Sequence, residues 1–240
     1  MRLFEWDSGG AYRVAFSTRL GGISEGSFES LNLGILTADE PENVVENRKR
    51  LCAAVGADPE SATMAWQVHG SRVTEADRRG IVSPGVVYER CDGLWTDAPG
   101  EALVLLTADC LPVALVRTNG SPRLAVLHVG WRGLLEGIAR EGVAAMEGNG
   151  VSAAIGPGIG PCCYEVGDEV AQPFKAVFGD DVVTGRRLDL GLVTERALLQ
   201  AGCATVERNG RCTSCEADLF FSHRRDRGRT GRQGVIAYIA

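Results

Sequence analysis

The feature that most limits the fold is a set of apolar runs of strand length, several of them continuous rather than alternating. They are Tyr12–Ser17, Ala65–Val68, Ala102–Leu106, Val113–Val116, Leu124–His128, Ala153–Ile155 and Val235–Ile239. A strand with one wet face alternates apolar and polar side chains, whereas a strand covered on both faces reads as an unbroken apolar stretch. Sheets buried on both sides are therefore expected. Between the runs lie helical patterns: Pro41 to just before Gly56, Leu134–Glu147, Gly167–Phe178 with a break predicted at Pro173, and Leu188–Ala201 ahead of Gly202. Proline in a first turn and glycine after a last one are ordinary start and stop signals. Strands and helices mixed without a strict βαβ rhythm predict an α/β (mixed α+β) layered fold. The 240 residues carry no repeat, low-complexity run or proline-rich linker, so one domain over 1–240 is expected.

Composition narrows the function. Hydrophobic residues make up 45% and charged residues 23%, which excludes disordered and fibrous classes. No stretch reaches the roughly 18 apolar residues of a membrane span, and a net charge of -6 argues against general nucleic-acid binding. Charges at Arg2, Glu5 and Asp7 come too early for a signal peptide. Eight cysteines are far too few for a disulfide scaffold, so the expectation is reduced thiols in a cytoplasmic protein. His69, His128 and His223 are the only histidines. A metal site must therefore be small, with cysteine taking part.

Three segments place a metal-ligand residue at or near the end of an apolar run: Trp66-Gln67-Val68-His69-Gly70, Leu106-Thr107-Ala108-Asp109-Cys110-Leu111-Pro112 and Leu127-His128-Val129-Gly130-Trp131-Arg132-Gly133. Strand ends suit sites because the sheet holds the side chain while the loop stays open. Two imidazoles and one thiolate leave a fourth position free, the pattern of catalytic zinc. The same set also occurs in trigonal blue-copper sites, for which Met64 is the only nearby axial candidate. Taken singly, each residue has an equally plain reading as a structural core residue.

Other signals are weaker. Arg48 falls on the apolar face formed by Val44, Val45, Leu51, Cys52 and Val55, so its guanidinium needs a partner or an anion-binding cleft. Asn32, between two leucines, needs its amide satisfied if buried. Cys212-Thr213-Ser214-Cys215 is a CxxC with no obvious second pair, read as structural or incidental. Cys162 and Cys163 are adjacent and would point to opposite sides of a strand. The loop Gly156–Pro161 lacks the spacing of a nucleotide-binding fingerprint. The basic run Arg224–Arg232 reads most simply as a solvated ion-pair network, with phosphate binding as the lesser reading.

Taken together and in order, these segments resemble the multicopper polyphenol oxidoreductase or laccase-domain family, also called the YfiH-type or bacterial purine nucleoside phosphorylase family. The resemblance runs through Phe16–Gly22, Ser30–Gly34, Glu46–Arg48, Gln67–Gly70, Thr107–Cys110, His128–Gly133, Gly156–Gly167 and Phe220–Asp226. It implies a single α-β-β-α layered domain of the cysteine-hydrolase-like type with mixed sheets. It also implies one metal, zinc with copper as the alternative, held by His69, Cys110 and His128. Those three and Arg48 would be catalytic; Asn32 and Arg48 would bind substrate. Val129 and His223 depart from the family's more usual Ala and Tyr.

The activities attributed to the family differ. One is phosphorolysis of adenosine, inosine, guanosine and methylthioadenosine together with adenosine deamination; the others are copper-dependent oxidation of phenols and editing of peptidoglycan precursors. Deamination needs a nucleophile, which a zinc-activated water would supply, and phosphorolysis needs an anion clamp such as Arg48. Oxidation of phenols by several coppers asks for more imidazoles than three histidines provide. The expected partners are therefore a purine nucleoside and phosphate, not nucleic acid or membrane, with the chain a monomer or homodimer.

Overall fold

The apolar runs become strands of two mixed sheets. The computed structural model describes residues 1–77 and 88–240. The chain opens with β1 (Leu3–Glu5), β2 (Tyr12–Ser17) and α1 (Pro41–Val55). Short strands β3 (Thr63–Met64) and β4 (Val73–Glu75) follow, then β5 (Gly93–Thr96), β6 (Leu103–Thr107), β7 (Leu111–Arg117) and β8 (Leu124–Val129). Next come α2 (Trp131–Glu136), α3 (Ile138–Ala145), β9 (Val151–Ile155) and α4 (Asp168–Phe178). The chain closes with the hairpin β10 (Val183–Thr184) and β11 (Arg187–Leu188), then α5 (Leu190–Ala201), β12 (Cys203–Arg208) and β13 (Gln233–Ile239).

One sheet has the order β1-β2-β13-β6-β3 and the other β12-β9-β7-β8-β5-β4. Both mix parallel and antiparallel pairs. Alternation along each strand explains the layers. From β7 and β8, Val113, Leu115, Ala125, Leu127 and Val129 face a core shared with Ile138, Phe174, Val193 and Leu198 of the helices. The intervening Ala114, Val116, Leu124 and Val126 meet Phe16, Leu103, Leu105, Val235 and Ala237 of the other sheet. That sheet's opposite face, with Ala15, Val104 and Ile236, is covered by Leu51 and Cys52 of α1. The order is helix, sheet, sheet, helix. Each fully buried Leu contributes about 1.5–3 kcal/mol, so the continuous runs are what stabilise the two-sheet stack.

Three expectations change. Residues 65–70 leave the sheet instead of extending it, because the Gln67 side chain takes the place of a strand. Its Nε2 donates to Leu106 O (2.6 Å) and its Oε1 accepts from Leu106 N (2.8 Å). The single helix expected over Leu134–Glu147 is two helices, broken at Gly137 with φ 98°. Pro173 does not break α4. A proline inside a helix costs about 3 kcal/mol, but burial of Val170 and Phe174 stabilises by about 1.5–3 kcal/mol each and prevails. Gly56 and Gly202 end α1 and α5 in the left-handed conformation, as read. Among the described residues, no helix is long and apolar enough to cross a membrane.

Candidate metal centre

His69 lies in the loop after β3, Cys110 in the turn between β6 and β7, and His128 within β8. The sheet register sets Pro112, two residues past Cys110, opposite His128. The result is a group in which the ligand atoms of His69, Cys110 and His128 all lie within 4.8 Å of one another. The two imidazoles meet edge to face, with ring centroids 4.8 Å apart. Glycines make the space: a Cβ on Gly130 would stand 3.1 Å from Cys110 Sγ and 3.4 Å from His69, and one on Gly133 would stand 2.4 Å from Gly70 O.

Backbone strain marks the same place. His69 (φ 62°) and Asp109 (φ 86°) occupy the left-handed region, where such side chains are uncommon. Each is held by hydrogen bonds. The fully buried Asp92 accepts from the backbone N–H groups of Val68 (3.1 Å), His69 (2.9 Å) and Gly70 (2.8 Å). Asp109 accepts from Thr213 Oγ1 (2.6 Å) and the backbone N–H of Arg224 (2.7 Å).

Asp92 also pairs with His128, with Nδ1 2.8 Å from Oδ1. This carboxylate–imidazole pair commits Nδ1 and leaves Nε2 for the shared point, the usual outer support of a metal-bound histidine. Burial opposes the charge of Asp92, but the bond to His128 and the backbone donors hold its carboxyl below the usual range. Burial likewise opposes ionisation of Cys110, yet the His128 charge and hydrogen bonds from both histidines bring the thiol down to about 6. His128 moves up to about 9, against its own burial, through the Cys110 charge and the Asp92 bond. A thiolate beside two imidazoles suits a borderline ion such as zinc, and accepts copper as readily.

The group opens on a cavity of about 710 Å³, within the range of small-molecule sites. Arg48, Arg132, Arg224 and Arg232 line it, with Tyr88, Tyr164 and His223. Thr107, also in the wall, has a buried hydroxyl without a protein partner. Arg48 is 2% exposed, donates through Nε to Leu33 O (2.9 Å) and hydrogen-bonds Tyr88. Its inward turn thus ends at the cavity.

Asn32 sits elsewhere. Its Nδ2 donates to Thr37 and Asp39 (both 2.8 Å), and its Oδ1 accepts from Gly34 N (2.9 Å) and Arg232 N (2.8 Å). The amide is saturated and does not line the cavity; it fixes the backbone of Arg232, which does. The basic run divides as well. Arg225 pairs with Asp226 at 2.8 Å, while Arg224 and Arg232 enter the wall.

Asp92 and Tyr164 were not singled out from the sequence. The one available signal for Asp92 was an acidic residue heading the short run Gly93-Leu94-Trp95. Cys162, Cys163, Cys212 and Cys215, by contrast with the sequence reading, converge in a second group. Residues 161–163 form a turn, where the alternation of a strand does not apply.

Comparison with known proteins agrees with this architecture. Residues 13–240 match the family described as multi-copper polyphenol oxidoreductase laccase, and the chain belongs to that family. It is 38% identical to the purine nucleoside phosphorylase YlmD of Geobacillus stearothermophilus, over 94% of this chain and 89% of that one. It is 35% identical to the purine nucleoside phosphorylase YfiH of Escherichia coli, over 98% and 97%. The crystal structure of the hypothetical protein YfiH of Bacillus licheniformis superposes with a TM-score of 0.93 at 33% identity, covering 99% of this chain and 96% of that one.

Proposed function

We propose that this chain is a zinc-dependent purine nucleoside phosphorylase acting on adenosine, inosine, guanosine and methylthioadenosine, with adenosine deaminase activity. The observation that carries the reading is the convergence of His69, Cys110 and His128 on one wall of an arginine-lined cavity. Relatives that share a third or more of the sequence are named for the phosphorylase activity. In this reading the whole chain acts as one cytoplasmic domain, since the cavity wall draws on residues from Gly34 to Arg232.

His69, Cys110 and His128 would hold the metal, and the donor set fits: one thiol already biased to thiolate and an imidazole oriented by Asp92. When bound, zinc supplies a Lewis acid at the cavity wall. Arg48, Arg224 and Arg232 form the anion clamp for phosphate, with guanidinium forks suited to its oxygens. Asn32 serves the substrate through Arg232. The buried Thr107 hydroxyl and the rings of Tyr88 and Tyr164 would receive the nucleoside.

A multi-copper oxidase reading lacks donors. The chain has three histidines, and the four-cysteine group contains none of them. The test is to supply adenosine to zinc-loaded protein with and without phosphate. Phosphate-dependent release of adenine, with inosine formed in both conditions, is expected. Neither free base nor inosine would defeat the proposal.

A further inference from the structure

The sulfurs of Cys162, Cys163, Cys212 and Cys215 lie within 4.8 Å of one another, and none of the four residues lines the cavity that Cys110 lines. Cys215 Sγ is 3.4 Å from both Cys162 Sγ and Cys163 Sγ. A disulfide requires about 2.05 Å. Four sulfurs at about 2.3 Å from a common zinc stand about 3.8 Å apart, the edge of that tetrahedron. The spacing is that of a coordination shell.

Local backbone supports the same end. Cys212 Sγ accepts from the backbone N–H of Gly160 (3.2 Å) and from that of Cys215. Amide donors at sulfur favour thiolate over thiol. Gly160 leaves room for this approach, since a Cβ there would stand 3.2–3.3 Å from Cys212 Cβ and Cys162 Sγ. Four thiolates around a divalent ion leave two negative charges, and Arg225 lies against the segment, donating to Thr213 O (2.8 Å).

We propose that Cys162, Cys163, Cys212 and Cys215 form a closed, structural zinc site, separate from the His69–Cys110–His128 centre. Four thiolates select a soft or borderline ion over magnesium or calcium, and leave no position for substrate. The site clasps two loops that build the cavity. Thr213 N donates to Gly158 O (2.9 Å) and Thr213 Oγ1 to Asp109, the neighbour of Cys110. Ile159 N donates to the backbone O of Asp109 (2.8 Å), and Ile159 and Tyr164 line the cavity. The metal therefore acts as a strut behind the wall, with no part in chemistry.

The experiment is metal counting on full-length protein purified under reducing conditions from metal-balanced medium, using a Cys110→Ala background. That background removes the thiolate of the first centre, so the result does not depend on the proposed activity. One zinc per chain is expected in Cys110→Ala and none after adding Cys162→Ser and Cys215→Ser. Cobalt in Cys110→Ala should give the intense tetrahedral spectrum of an all-sulfur site. A Cys110→Ala protein that binds neither zinc nor cobalt would overturn the proposal, as would recovery of the four cysteines as disulfides. Cobalt bound without the sulfur signature would overturn it too.

Discussion

Cys110 and His128 form a charged pair inside a wall that would otherwise disfavour charge. The thiol sits near 6 and the imidazole near 9 because each ion supports the other and Asp92 supports the imidazolium. In metal-free protein these shifts favour the thiolate–imidazolium pair over the neutral one. Alkylation of Cys110 by iodoacetamide, followed on its own peptide by mass spectrometry, should rise with a midpoint near pH 6. Asp92→Asn removes the charge that holds the His128 proton, so it should move that midpoint upward. An unchanged midpoint would show that Asp92 does not tune the pair. At this scale the sequence spoke clearly for residues of rare type beside glycine: His69 before Gly70, and His128 two residues before Gly130. It was silent on Asp92, because an aspartate far from the ligands in sequence acquires its role only when β5 is laid beside β8. Asn32 shows the converse. Its need for partners if buried was readable, but its four hydrogen bonds, which direct it to Arg232 and away from the cavity, depend on contacts up to 200 residues distant.

Elements position the site through what they omit. Gly130, between β8 and α2, has φ -96°, which any residue adopts, so its absent side chain rather than its freedom is what the site requires. Gly130→Ala should lower metal affinity about tenfold or more, in the range seen when the support of a metal ligand is disturbed, with little change in thermal midpoint. Gly56→Ala offers the contrast. With φ 75° and only Tyr238 Oη in ordinary contact with its Cβ, at 3.6 Å, it should cost about 1 kcal/mol of stability and leave metal affinity unchanged. Metal titration together with thermal unfolding separates the two effects; equal metal affinity in both variants would contradict the role given to Gly130. Strands covered on both faces were readable because burial leaves continuous apolar runs. Short edge strands such as β3 and β4 were not, having only two or three residues to carry a pattern. The failed strand at 65–68 came from a side chain, Gln67, imitating a backbone, which no periodicity reveals.

For the whole molecule, the two-sheet stack brings together side chains from strands, helices and the loops at strand ends. His69, Cys110 and His128 come from three segments that only this stacking unites, and the arginines come from α1, α2 and the segment before β13. A layered α/β fold was foreseeable from strand patterning, and the α-β-β-α order only from the family resemblance. The meeting of Cys162–Cys163 with Cys212–Cys215 was not, since their separation in sequence reflects a crossover between β9 and β12. Diffraction from crystals of metal-replete protein, recorded above and below the zinc edge, tests the central claim most directly. An anomalous peak about 2.3 Å from Cys110 Sγ and about 2.0–2.1 Å from a ring nitrogen of both His69 and His128 is predicted. Metal-replete crystals with no peak among those three residues would contradict it.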